Sequence, residues 1–204
     1  MINLAILISG RGSNMKSILQ AHRSGELERV GRIIVVSNKL DAPGLNIAKK
    51  EFGTKILTVL TDGDRHSFEN NLIHELQSNG IFKDNSFICL AGFMRILSPL
   101  FINHYKNRIV NVHPSLLPSF KGLHAQKQAL SAGVKITGCT VHLVDEGVDS
   151  GPIILQKCVP VLDTDTVEIL SERILNEEHE IYVKSLKLLT SNRLVIKENR
   201  VFEI

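Results

Sequence analysis

Cysteine is scarce in this 204-residue chain, and so is any long apolar run or any excess of one charge. Cys89, Cys139 and Cys158 are odd in number, lack metal-ligand spacing, and each lies within or beside an apolar stretch, where a thiol behaves as a small hydrophobe. A reduced, cytoplasmic compartment fits that usage. The first apolar run, residues 2–9, is too short to span a bilayer and lacks a basic flank or a cleavage signal, so it reads as a buried strand with no membrane partner. Lys and Arg total 24 against 21 Asp and Glu, a net charge of +3 scattered along the chain, and nucleic acid is not an expected partner. His22, His66, His74, His104, His124 and His179 show no zinc-protease or other ligand spacing, so no metal is expected. A nucleophile elbow with a Ser, His and Asp grouping is missing too. No repeat, low-complexity tract or linker divides the chain, which predicts a single domain over residues 1–204.

What is present is an ordinary globular composition, 43% hydrophobic and 22% charged, with mass enough for a sizeable core. Residues 4–8, 32–36 and 86–91 are short, continuous apolar runs bounded by Gly, Ser or Asn, the pattern of parallel strands covered on both faces. Helix-like stretches lie between and after them at 15–22, 45–52 and 67–78; in the last, Phe68, Leu72, Ile73 and Leu76 recur at helical spacing. The alternation predicts an α/β, Rossmann-like fold, with a mostly parallel central sheet flanked by helices and functional groups at the carboxyl ends of the strands. The C-terminal half is richer in strands: 109–112, 140–144, 153–155 and 159–162, the last three as a meander. Asp165 followed by Glu168 marks a helix start, with the helix running to Lys187 or Leu189 and a terminal hairpin at 194–196 and 201–202.

Asn111-Val112-His113-Pro114 ends one of these strands with two polar side chains. Period-two alternation puts Asn111 and His113 on one face, and Pro114 stops the strand. An amide donor beside an imidazole suits a reaction that builds negative charge on an oxygen, though a plain polar strand exit remains open on these residues alone. Ser9-Gly10-Arg11-Gly12-Ser13-Asn14 follows the first strand and opens a helix, so its backbone N–H groups would converge on an anion. Met15 spoils both the dinucleotide fingerprint and the triphosphate loop, which leaves a small phosphate ester, or a simple glycine-rich turn. Residues 91–99 would line a flat cleft or merely pack. Asp145 to Asp149 form an acidic, glycine-containing loop in which an Asp is usually a turn former, and His142 reads equally as a satisfied core histidine.

Together the stretches 8–14, 90–99, 111–118, 122–125, 138–144 and 149–152 with Gln156 resemble the phosphoribosylglycinamide formyltransferases over nearly the whole chain. The resemblance implies transfer of a formyl group from the co-substrate 10-formyltetrahydrofolate to the primary amine of glycinamide ribonucleotide, with no metal. It implies Asn111, His113 and Asp149 as catalytic residues and Gly12, Ser13 and Asn14 as the phosphate site. Glu178 would bind the glycinamide substrate. Folate contacts would come from Arg65, Met94, Arg95, Ile96, Leu97 and Asn111, and from Asp145, Glu146, Gly147, Val148 and Asp149. Ser150 stands where the family commonly has glycine, and a C-terminal extension of some members is expected to be missing. The amine would attack directly, the oxyanion being held by Asn111 and protonated His113 with Asp149 beside it. The rivals are a formyltetrahydrofolate deformylase, which normally carries a further N-terminal domain, a methionyl-tRNA formyltransferase, which needs a further C-terminal domain, and a non-catalytic folate or nucleotide binder. The oligomeric state stays open between monomer and homodimer.

Overall fold

The computed structural model describes residues 1–59 and 64–204. It divides into two compact units, Met1–Val110 and Asn111–Ile204. The first contains β1 (Ile2–Ile8), α1 (Ser13–Arg23), β2 (Val30–Ser37), α2 (Pro43–Phe52), β3 (Lys55–Thr58), α3 (Arg65–Ser78), β4 (Ser86–Leu90) and α4 (Pro99–His104). Strand β5 (Ile109–His113) runs through the division. The second unit adds α5 (Ala125–Ser131), β6 (Ile136–Leu143), β7 (Ile153–Pro160), α6 (Val167–Thr190), β8 (Leu194–Lys197) and β9 (Arg200–Glu203).

Strands β1 to β7 form one mostly parallel sheet in the order β3-β2-β1-β4-β5-β6-β7, and β8 and β9 pair separately. This is the α/β, Rossmann-like architecture with a strand-rich C-terminal half that the alternation predicts. In the first unit β1 lies parallel between β2 and β4, and its residues 4–8 are completely buried, which is why its sequence is a continuous apolar run. In the second unit β6 and β7 are antiparallel, and α6 packs on both. The buried stripe of α6 includes Leu170, Ile174, Ile181, Tyr182 and Leu186.

Three readings change. The stretches at 153–155 and 159–162 are one strand, β7, whose middle residues Gln156, Lys157 and Cys158 are exposed; as the last strand of the sheet it has a solvated face, and that polar face hid its continuity. The N-cap of α6 is Thr166, whose side chain accepts the N–H of Ile169. Asp165 instead takes two bonds from the Arg173 guanidinium, both at 2.7 Å, and one from the Leu162 N–H at 2.8 Å, and the Arg173 bond leads in holding its carboxyl down at about 2. The short elements β3, α4 and α5 go unread because each is too brief to show a period.

Candidate active site

In the first unit, β1 delivers the chain into α1 through Gly12, which adopts φ +70° at the N-cap position. A Cβ there would meet the Met15 side chain at 3.1 Å as well as straining the backbone, so glycine is needed. No side chain caps α1, and its first turn holds no acidic residue. The positive end of a helix dipole therefore faces a cavity of about 230 Å³ lined by Ser9 to Asn14 with Ala91, Gly92 and Met94. Gly12, Ser13 and Asn14 all line it.

The same cavity borders the loop after β4. Ser9 ties the two, donating to Asn38 Oδ1 at 2.7 Å and accepting the Met94 N–H at 2.9 Å. Met94 and Ile96 are 72% and 70% exposed, an apolar surface with no packing role, whereas Leu97 is 6% exposed and belongs to the core. Arg95 lies 4.6 Å over the Phe68 ring. Buried Glu69 fixes the far end of the loop, accepting the Ser98 N–H at 2.7 Å and its hydroxyl. Arg65 opens α3, whose cap is Asp64, accepting the Ser67 N–H at 2.8 Å.

The second unit brings Asn111, His113 and Asp149 together. His113 is buried at the end of β5, with Nδ1 3.2 Å from Asp149 Oδ2 and Nε2 donating to the Phe120 carbonyl at 2.8 Å. Asp149 Oδ2 also accepts the Gly122 N–H at 2.8 Å, and its Oδ1 is 3.7 Å from His142 Nε2. The Asn111 amide nitrogen lies 3.3 Å from that same His142 Nε2. The loop between His113 and Gly122 is anchored on β6 and β7: Thr140 Oγ1 donates to the Ser115 carbonyl at 2.7 Å and accepts the Leu117 N–H at 3.0 Å. Gln156 Nε2 adds bonds to the Leu117 carbonyl at 2.9 Å and to Thr140 Oγ1 at 3.0 Å. Phe120 and His124 here, and Asp149 in the loop after β6, all hold left-handed backbone, with φ of +54°, +59° and +47°, a cost that loops shaped for a task retain.

Asp149 sits in a loop with its own internal frame. Asp145 Oδ1 accepts the Gly147 N–H at 3.1 Å and the Ser150 hydroxyl at 2.7 Å, so part of the Asp145 carboxylate is spent on shaping the turn. A Cβ at Gly151 would sit 1.9 Å from the Leu143 carbonyl oxygen, so the loop closes on β6 only with glycine there. Glu146, Gly147 and Val148 are exposed at its tip. Glu178 is buried on α6, where it and Glu177 add to the dominant effect of burial in pushing the Cys139 thiol up to about 12.

Sequence reading left His142 open as a core histidine without its pairing to Asn111, and missed the Phe120 carbonyl and the Gly122 N–H, as well as the Ser9 tie. Backbone donors carry no residue signature, while His142 had one available: it is a polar residue on a buried strand, Ile136–Leu143, whose neighbours are apolar. Among the described residues, no group of three or more His, Cys, Asp or Glu side chains could hold a metal ion, and no helix is long and apolar enough to cross a membrane.

The family model for formyl transferases matches residues 2–186. The chain is 39% identical over 199 residues to the phosphoribosylglycinamide formyltransferase of Escherichia coli strain K12, covering 97% of this chain and 92% of that protein. It is 43% identical over 190 residues to the trifunctional purine biosynthetic protein adenosine-3 of Chironomus tentans, covering 92% of this chain and 14% of that one. The chain spans only 14% to 19% of the length of the trifunctional relatives it matches. Among solved structures, glycinamide ribonucleotide transformylase 1 from Symbiobacterium toebii superposes with a TM-score of 0.94 at 45% identity, covering all of this chain and 94% of that one. With the family's pattern matched through both units and the same fold in a solved relative, the chain belongs to the formyl transferase family.

Proposed function

We propose that this protein transfers the formyl group of 10-formyltetrahydrofolate to the primary amine of phosphoribosylglycinamide, a step of purine biosynthesis, with residues 1–204 acting as one catalytic domain. The observation that carries the reading is the pairing of His113 Nδ1 with Asp149 Oδ2 at 3.2 Å, on the strand end that also bears Asn111. Both His113 nitrogens face acceptors, the arrangement that suits a doubly protonated ring balanced by a carboxylate.

In the reaction the amine nitrogen attacks the formyl carbon, and the carbonyl electron pair moves onto oxygen. Asn111 donates an N–H to that oxyanion, and His113 reaches it by exchanging the Phe120 carbonyl for the formyl oxygen. Asp149 keeps the imidazolium paired while the proton leaving the amine passes, through water, to the departing folate nitrogen. The bond from carbon to that nitrogen then breaks, leaving the formylated amine, now a formamide, and tetrahydrofolate. The uncapped N-terminus of α1 takes the ribonucleotide phosphate through Gly12, Ser13 and Asn14, and Glu178 binds elsewhere on the same substrate. Exposed Met94 and Ile96 are apolar surface of the kind a pterin covers, Val148 is exposed apolar surface on the acidic loop, and Arg65 and Arg95 supply charge for the acidic tail.

A deformylase would use the same three catalytic groups with water as the attacking species. The empty cap of α1 favours the transferase, because hydrolysis has no phosphate to hold. The test is a folate-product assay on the purified protein with 10-formyltetrahydrofolate, with and without glycinamide ribonucleotide. Turnover that depends on the ribonucleotide is expected. Equal turnover in its absence assigns the hydrolase instead, and none in either case leaves a binding protein.

A further inference from the structure

The formyl-transfer reading gives buried His142 no task. We infer that His142 is a positioning residue that fixes the orientation of the Asn111 carboxamide for formyl transfer, an inference that rests on the reading above. Its Nδ1 lies 2.9 Å from the Leu143 carbonyl oxygen. A carbonyl only accepts, so Nδ1 carries the ring proton, and the neutral ring then presents a lone pair at Nε2. That lone pair is 3.3 Å from Asn111 Nδ2 and accepts one of its two N–H bonds. The amide is thereby held with its nitrogen toward His142, leaving the second N–H as the oxyanion donor. A protonated ring would set one donor against another, and the amide would turn its oxygen to the ring and lose that donor.

The charged neighbours are Asp149, whose Oδ1 is 3.7 Å from His142 Nε2, together with His113 and Asp145. The two carboxylates favour protonation of His142 and His113 opposes it, but burial is the largest effect and holds the group below its ordinary 6.5. The antiparallel register of β6 and β7 shifts between Val141 and His142, where β7 carries an extra residue. Such a bulge re-aims the side chains beside it.

Two variants and one pairing with Asn111→Ala test the inference in the full-length protein. In His142→Leu the acceptor is gone, and kcat should drop roughly 10- to 100-fold while KM for both substrates changes far less, the signature of a misoriented catalytic group. His142→Gln can offer its amide oxygen near the position of Nε2 and should recover most of that loss. In an Asn111→Ala background, His142→Leu should cost little further turnover, because its effect passes through Asn111. Additive losses, or a His142→Gln variant as slow as His142→Leu, overturn the inference. Ring-nitrogen NMR of the wild-type protein, with no substrate present, gives an answer that does not depend on turnover. A proton on Nδ1, and an Nε2 resonance that moves on Asn111→Ala, are expected; a proton on Nε2 rejects the inference even if formyl transfer is confirmed. Absence of wild-type turnover rejects the transfer reading separately.

Discussion

His113 and Gly122 share one oxygen: Asp149 Oδ2 lies 3.2 Å from His113 Nδ1 and accepts the Gly122 N–H at 2.8 Å. An Asn placed at position 149 can set its carbonyl oxygen at the same spot and keep both contacts. Asp149→Asn therefore removes the charge while sparing the geometry. Turnover should fall by about 10²-fold or more, within the usual range for a group that supports acid–base catalysis, with the melting temperature little changed. Steady-state kinetics and thermal unfolding of the same preparation check this, and a variant that turns over like wild type contradicts the role of the charge.

Asn111→Ala deletes the neutral oxyanion donor. Losing one such donor costs ~10²- to 10³-fold in kcat, about 3 to 4 kcal/mol, with smaller effects on substrate affinity. Near wild-type turnover would falsify the assignment.

Ser150 contributes a bond that a glycine at this position lacks, its hydroxyl donating to Asp145 Oδ1 at 2.7 Å. The net value of one such bond is about 1 kcal/mol, or roughly fivefold in the population of the ordered loop. In Ser150→Gly the KM for the formyl donor should rise by that order while kcat holds. Titration of Ser150→Gly and of the wild-type protein with the donor decides it; an unchanged KM means that the loop is ordered without this bond.

Acid should weaken the fold through two histidines. Burial lowers His142 and His179 below 6.5 in the folded protein, whereas the unfolded chain titrates near that value. As pH falls through 6.5 the unfolded state binds protons that the folded state refuses, so unfolding free energy declines until the folded values are passed. Urea midpoints compared at about pH 7.5 and about pH 5.5 should drop in acid, and less so in His142→Gln. A midpoint unchanged or higher at the lower pH contradicts the direction.

The sequence was most readable where one physical signal dominated. Fully buried β1 shows as an unbroken apolar run, and α3 shows through the spacing of Phe68, Leu72 and Leu76, all buried. Half-solvated β7 read as two strands because Gln156 to Cys158 face water. At the helix start Asp165 and Thr166 compete for the same role, and Arg173, eight residues along, draws Asp165 away. Side chains of the site could be nominated from residue type, as with Asn111 and His113. The partners that orient them could not, since the Phe120 carbonyl and the Gly122 N–H are groups every such residue owns, and His142 meets Asn111 from 31 positions away.

Phe120, His124 and Asp149 hold their left-handed backbone without glycine's freedom. Each costs on the order of 1 kcal/mol or more relative to a residue at ease there. A laboratory library screened for heat resistance alone will be drawn to these positions, where Gly relieves the backbone. At position 149 the relief removes the carboxylate, and at 120 it loosens the carbonyl that holds His113. Thermal robustness and turnover thus select in opposite directions in these two loops, and a screen that rewards only the first will produce sturdy proteins that have stopped working.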